Sequence, residues 1–170
     1  MNRALAPVIV VTLLIVGLQL SILSSLRFSG VVIMLVWVWP LVVGLAGLTN
    51  LAVWSAVVAG VFFDTHSTTP FGLTAAVGMI LAYGASRLGK EGVGDLDSAA
   101  WWVTPLLAGV AGFFAPLLYV IGGFVTFNFS LWRASLFNMM VVNAVAFAVL
   151  SRPLARVAQL AGGLGARARR

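Results

Sequence analysis

The chain has 170 residues, of which 62% are hydrophobic and only 8% are charged. Soluble domains carry roughly a quarter charged residues, so this composition excludes a soluble protein and indicates an all-α integral membrane protein. The absence of cysteine excludes disulfides and thiolate metal sites. The net charge of +6 does not indicate nucleic-acid binding, because basic residues collect on the cytoplasmic side of membrane proteins.

A bundle of six short transmembrane helices is predicted from the apolar runs. The predicted spans are residues 5–26, 31–46, 51–63, 71–87, 101–121 and 131–150. The first span is longer than the core of a signal peptide, so we expect it to be retained. As one helix, residues 31–63 would extend roughly 50 Å, well beyond a hydrocarbon core of about 30 Å. We therefore place a break at Gly47 to Asn50, where glycine and asparagine favour a turn.

The distribution of basic residues predicts the topology. With six spans both termini share one side of the membrane, and that side holds eight of the ten basic residues: Arg3, Arg87, Lys90, Arg152, Arg156, Arg167, Arg169 and Arg170. The opposite side holds Arg27 and Arg133. The positive-inside rule therefore predicts a transmembrane domain over residues 1–151 with both termini in the cytoplasm. Residues 152–170 form a basic tail whose arginines we expect to contact anionic lipid.

A row of small residues that ends in a carboxylate marks the third span. Ala52, Ala56, Gly60 and Asp64 recur at intervals of four, which puts them on one helix face. Such small-residue rows let membrane helices pack closely. Glycine costs helix propensity, so a close neighbour of Gly60 should compensate, either the fourth span, which Gly72 opens, or a partner protein. We expect the rest of the chain to be arranged around this hairpin.

Other polar and aromatic residues within the spans have structural interpretations. Gln19, Asn138 and Asn143 are amides inside predicted spans, and buried amides usually form hydrogen bonds to another helix. We expect them to face the bundle or a partner. An aromatic belt at the span ends accounts for most of the tryptophans, which are Trp37, Trp39, Trp54, Trp101, Trp102 and Trp132.

Asp64 and His66 are the candidates for chemistry. A carboxylate beside an imidazole can move a proton or bind a metal ion, as in a membrane enzyme or a proton-linked carrier. Alternatively, Asp64 ends a helix at the membrane interface and His66 meets water. A catalytic or metal site needs a larger convergent set, so we predict no catalytic residue, cofactor or metal, and no enzyme activity.

The run GLTNLAVWSAVVAGVFFDTHSTTPFGLTAAVGMILAYGASRL resembles the MreD family of rod shape-determining proteins. That family has a short third span ending in G-x-x-x-D, a polar turn, and a glycine that opens the fourth span. Gly60, Asp64 and Gly72 match this pattern. The segment GLQLSILSSL followed by Gly30 is similar to the family's first span and turn. Before the second span this chain has Gly-Val-Val, where the family often has a proline and a polar residue.

The resemblance implies a non-catalytic subunit of the machinery that elongates the side wall of rod-shaped bacteria, in the cytoplasmic (inner) membrane. The implied partners are the periplasmic scaffold MreC and, more remotely, MreB, RodA and a class B penicillin-binding transpeptidase. The family is also similar in architecture to the substrate-binding subunits of energy-coupling-factor vitamin transporters, and such a subunit is the alternative function. A vitamin site should have several polar anchors on its outer side, and the outer loops here offer few.

Overall fold

A computed structural model describes residues 5–23, 31–67, 70–89, 101–125 and 136–167, without the side chains of 161–167. In these ranges the chain is helical and contains no β-strand, which confirms the predicted all-α fold. The elements are α1 (Leu5–Leu18), a π-helical turn (Gln19–Leu23), α2 (Leu35–Leu45), α3 (Thr49–His66), α4 (Leu73–Leu88), α5 (Val103–Val125) and α6 (Leu136–Arg167). Within the described ranges, three segments are long and apolar enough to cross a membrane: Leu5–Ile22, Val103–Val125 and Leu136–Leu160.

Helix α2 lies at the centre of the bundle. All 11 of its residues are buried, and it packs against each of the other five helices. Trp37 and Trp39 are fully buried in it, so their predicted place in an aromatic belt is wrong. Their indole N–H groups donate to the carbonyl of Thr74 (3.2 Å) and the hydroxyl of Thr12 (3.0 Å). The centre of the fold is therefore α2 and not the hairpin of residues 51–72.

The predicted break between the second and third helices is confirmed. Gly47 adopts a φ of +76°, which residues with a side chain rarely adopt. The N–H groups of Gly47 and Leu48 donate to the carbonyls of Gly44 (2.8 Å) and Val43 (3.3 Å). This pair of hydrogen bonds is a Schellman motif, and it ends α2. Helix α3 then begins at Thr49, two residues before the predicted start.

The other helix ends also differ from the predicted spans. Helix α2 begins later than residue 31, α3 and α4 each extend past their predicted ends, and α5 continues to Val125 instead of ending at 121. The glycines at 122 and 123 do not stop α5, and a Cβ at Gly122 would overlap the end of the Leu73 side chain on α4. Residues 24–26 of the first predicted span and 131–135 of the sixth lie outside the described residues.

Helix α6 does not end at residue 150. It passes through Pro153 and continues to Arg167, so the described part of the predicted basic tail is a continuation of α6. Proline is tolerated inside membrane helices because neighbouring groups satisfy the carbonyl that it leaves free. Several residues of the predicted topology and aromatic belt lie outside the description: Arg3, Arg27, Lys90, Trp132, Arg133, Arg169, Arg170 and the side chain of Arg167.

All arginine side chains that the structure describes, Arg87, Arg152 and Arg156, lie at one end of the bundle, which we call the basic end. Arg87 is in the last turn of α4. The guanidinium of Arg152 donates to the carbonyl of Trp101, next to the start of α5 (2.6 Å). Arg156 follows one turn later on α6. The start of α1 lies at this end too, because α1 meets the opposite end of α2 at Gln19.

Candidate functional site

The small-residue row of α3 faces α4. The members of the row are all buried: Ala52, Ala56, Gly60 and Asp64. A Cβ at Gly60 would overlap the backbone N and Cα of Ala75 on α4. One helical turn away, a Cβ at Gly78 of α4 would lie 3.3 Å from the Cβ of Ala56. Of the two expected neighbours of Gly60, it is the fourth helix that contacts the row, and the row lies inside the bundle.

Asp64 ends this row and caps α4. Residues Pro70 to Leu73 form a turn closed by the Leu73 N–H and the Pro70 carbonyl (3.1 Å). Gly72, with φ of 86° and ψ of −8°, occupies the position of a type II turn that requires a positive φ. Glycine has no side chain to cap α4, and Oδ2 of Asp64 accepts the Thr74 N–H instead (3.2 Å). The carboxylate thus satisfies a donor at the positive end of the helix.

Asp64 and His66 lie in different surroundings. Asp64 is 4% exposed and lies against α4, whereas His66 is exposed at the end of α3. Nδ1 of His66 lies 2.9 Å from the carbonyl oxygen of Phe62 and 3.0 Å from the hydroxyl of Thr65. Among the described residues, no group of three His, Cys, Asp or Glu side chains could hold a metal ion. This geometry fits the interpretation of the segment as a helix end at the membrane interface.

Gln19 and Asn143 meet at the N-terminus of α2. The N–H of Leu35 donates to Oε1 of Gln19 (2.7 Å), and the N–H of Met34 donates to Oδ1 of Asn143 (3.0 Å). Both amide side chains are fully buried. The start of α2 has no side-chain cap of its own, and an unsatisfied N–H in hydrocarbon costs several kcal/mol. Two of the predicted intramembrane amides therefore cap the central helix, one from the π-helical turn after α1 and the other from α6.

The third predicted amide has a different environment. Asn138 is exposed on α6, so it does not face the centre of the bundle. Five residues separate it from Asn143, which places the two about 140° apart around a helix. The Nδ2 group of Asn143 also donates to the Met139 carbonyl (2.9 Å), which fixes the orientation of its amide.

The hydrogen bonds of the buried threonines Thr12 and Thr74 were missed in the sequence. Thr12 is 1% exposed, donates to the Val8 carbonyl (2.7 Å) and accepts the Trp39 indole N–H. Thr74 supplies both the carbonyl that accepts the Trp37 indole and the N–H that Asp64 caps. No local pattern distinguishes a threonine with this role from one in a lipid-facing turn, so only the packing reveals these partners.

Comparisons with known proteins leave the family open. The two polar sites described in the bundle are the α3–α4 connection and the capped N-terminus of α2, and both stabilise contacts between helices. The resemblance to the MreD family therefore rests on the residues themselves, chiefly Gly60, Asp64 and Gly72. No protein-family model, curated protein or solved structure matches the chain.

Proposed function

We propose that the chain is a non-catalytic inner-membrane subunit of the bacterial complex that elongates the side wall, and that it maintains rod shape by binding the MreC scaffold. The α3–α4 connection carries this proposal. Gly60, Asp64 and Gly72, the residues of the MreD-like pattern, act there as one unit: the first admits α4, the second caps it and the third forms its turn. If these three residues matched the MreD-like pattern only by coincidence, there would be no reason for them to act at the same helix connection.

In the proposed topology six helices cross the inner membrane with both termini in the cytoplasm. The basic end would face the cytoplasm, since Arg87, Arg152 and Arg156 lie there and basic residues favour that side. Helix α3, with 18 residues, extends about 27 Å, and α4, with 16 residues, about 24 Å, close to a hydrocarbon core of about 30 Å. Helix α2 is much shorter and is surrounded by protein.

The position of the small-residue row affects where a partner would bind. Because α4 already covers Gly60, the MreC scaffold would bind another surface of the bundle. The row then acts indirectly, by fixing the α3–α4 hairpin against which a partner docks. A partner contact confined to this row is incompatible with its burial.

The vitamin-transporter alternative has less support. Two cavities among the described residues have volumes of about 200 and 270 Å³, below the 300–1,000 Å³ typical of small-molecule sites. The first is lined by apolar side chains and glycine. The polar side-chain groups among the residues that line the second are the hydroxyls of Thr12 and Ser55 and the indole N–H of Trp54. Neither offers the several polar anchors that recognition of a vitamin requires.

Complementation tests the proposal. The chain is expressed in a rod-shaped bacterium depleted of its own MreD, and we expect it to restore rod shape and to co-purify with MreC. The Gly60→Leu variant should neither restore rod shape nor co-purify with MreC, because the larger side chain separates α3 from α4. Gly17→Leu is the matched control, since a Cβ at Gly17 meets nothing within 4 Å. Round cells despite normal insertion would contradict the proposal, and co-purification with transporter ATPases would favour the alternative.

A further inference from the structure

An amide group lies among apolar side chains on the surface of α6. Between residues 136 and 150, the exposed side chains of this helix recur with helical spacing and form one face, which we call the outer face: Phe137, Asn138, Val141, Val145 and Val149. The four apolar members are between 40% and 67% exposed. Membrane hydrocarbon suits all of them, and Asn138 is the exception.

The side chain of Asn138 forms no hydrogen bond with any group in the described part of the chain. Its neighbour Asn143, in contrast, is buried and bonded to Met34 and Met139. An amide carries two N–H donors and a carbonyl acceptor, and hydrocarbon offers a partner to neither kind of group. A polar partner from outside the described bundle would therefore stabilise Asn138.

The depth of Asn138 places it inside the membrane-spanning part of the bundle. A Cβ at Gly112 of α5 would overlap the carbonyl oxygen of Asn143, so these two residues lie at one level. Gly122, beside the Leu73 side chain at the start of α4, lies ten residues or about 15 Å further from the basic end. Asn138 is five residues or about 7.5 Å from Asn143 in the same direction. It thus lies about 7.5 Å inside the level at which α4 begins.

We propose that the outer face of α6 binds the same face of a second copy of this chain, with hydrogen bonds between the two Asn138 amides. Two copies in one membrane have the same orientation. A two-fold axis along the membrane normal then places each residue opposite its own counterpart, at the same depth. An amide is complementary to itself, because it has both donors and an acceptor. A second copy therefore supplies the polar partner that Asn138 lacks at this depth.

The spacing of the outer face fits a pair of parallel helices. Val141 and Val145 follow Asn138 by three and seven residues, which is the spacing of the seam in a two-helix coiled coil. A single asparagine in such a seam specifies the register and the number of helices. Valine has one strongly preferred rotamer in a helix, so it loses little side-chain freedom when it packs. The contact needs no other protein, so it does not depend on the elongation role or on MreC.

Disulfide cross-linking of the purified full chain in phosphatidylcholine vesicles tests where two copies touch. The chain contains no cysteine, so a single introduced cysteine reports one position. Oxidation should join two copies of a Val145→Cys variant, because this position lies on the outer face. Leu14→Cys is the matched control, since Leu14 is similarly exposed (67%, against 60% for Val145) but lies on α1. It should give little cross-linked product.

Energy transfer between labelled copies, followed as the protein is diluted with lipid, measures the dimer dissociation constant. Asn138→Leu removes the amide and should raise this constant about tenfold. Asn138→Gln keeps an amide at the same position and should retain most of the affinity. Because Asn138 is exposed, both variants should unfold in SDS as the parent does.

Three results would overturn the proposal. A chain that stays monomeric at every lipid dilution would leave the outer face to lipid or to a helix of another protein. Equal cross-linking of the Leu14→Cys and Val145→Cys variants would mean random collision of the copies. An Asn138→Leu variant that dimerises as tightly as the parent would show that the amide does not form the contact. The purified chain alone is used, so none of these results bears on MreC binding.

Discussion

Replacing Gly60 by alanine should have two opposite effects on the free energy of unfolding, one through helix propensity and one through packing. In an isolated helix the change is favourable by about 1 kcal/mol. In this bundle the new Cβ would overlap N and Cα of Ala75 and lie 2.7 Å from its Cβ. Backbone atoms cannot rotate away, so α3 and α4 must separate, and overpacking of this kind costs about 1–3 kcal/mol. Because the obstacle is backbone, we take the upper part of that range and expect a net destabilisation of about 1–2 kcal/mol.

Reversible unfolding by SDS in mixed micelles, followed by circular dichroism, measures this difference in free energy. Gly17→Ala is the matched control, because its Cβ meets nothing within 4 Å and only the propensity changes. We expect the control to be as stable as the parent or more stable, while Gly60→Ala is less stable than both. A Gly60→Ala protein as stable as the parent would show that α3 and α4 do not touch at this glycine, and our explanation of the row would be wrong.

Three further predictions concern the amides, the topology and the acidic pair. Replacing Gln19 or Asn143 by leucine should each cost about 1–3 kcal/mol in the same unfolding assay, because each change leaves a buried N–H of α2 without its acceptor. The double variant should show near-additive loss, and a loss no larger than that of either single variant would mean that they do not cap separate donors. A reporter fused after Arg170 should be active only in its cytoplasmic form, and periplasmic activity would refute the six-span topology. The purified chain should not turn over cell-wall precursors, and an activity that disappears in an Asp64→Asn, His66→Ala variant would contradict this.

Apolar patterning predicted the helices well and the interior of the bundle poorly. The break at Gly47 was predictable because a turn needs residues that tolerate special backbone angles, and these are visible in the sequence. The burial of Trp37 and Trp39 was not. Lipid tails are as apolar as leucine, so a hydrophobic residue facing lipid and one facing protein look the same in the sequence. The composition of α2 therefore does not reveal that this helix lies at the centre of the bundle.

The polar and small residues were the informative part of the sequence. Gln19, Asn138 and Asn143 were predicted to face the bundle or a partner, because a polar group in hydrocarbon needs a partner. Gln19 and Asn143 are buried in the bundle, whereas Asn138 is exposed. The four-residue spacing correctly placed Asp64 and Gly60 on one buried face. The donors that Gln19, Asn143 and Asp64 serve could not be predicted, because each lies on another helix and depends on tertiary packing.

The capping of α2 has a consequence for how the chain is made. Helix α2 contains 11 residues and is about 16 Å long, and the N–H groups at its N-terminus depend on other elements for their acceptors. One cap, Gln19, is translated before it, but Asn143 lies 109 residues after Met34. At typical synthesis rates that segment takes about 5–20 s to emerge from the ribosome. During that interval the Met34 N–H, at the centre of the nascent bundle, has no hydrogen-bond acceptor from Asn143. It gains that acceptor only when α6 packs against α2. A chain truncated before Asn143 would keep this defect permanently, and membrane proteases could recognise it.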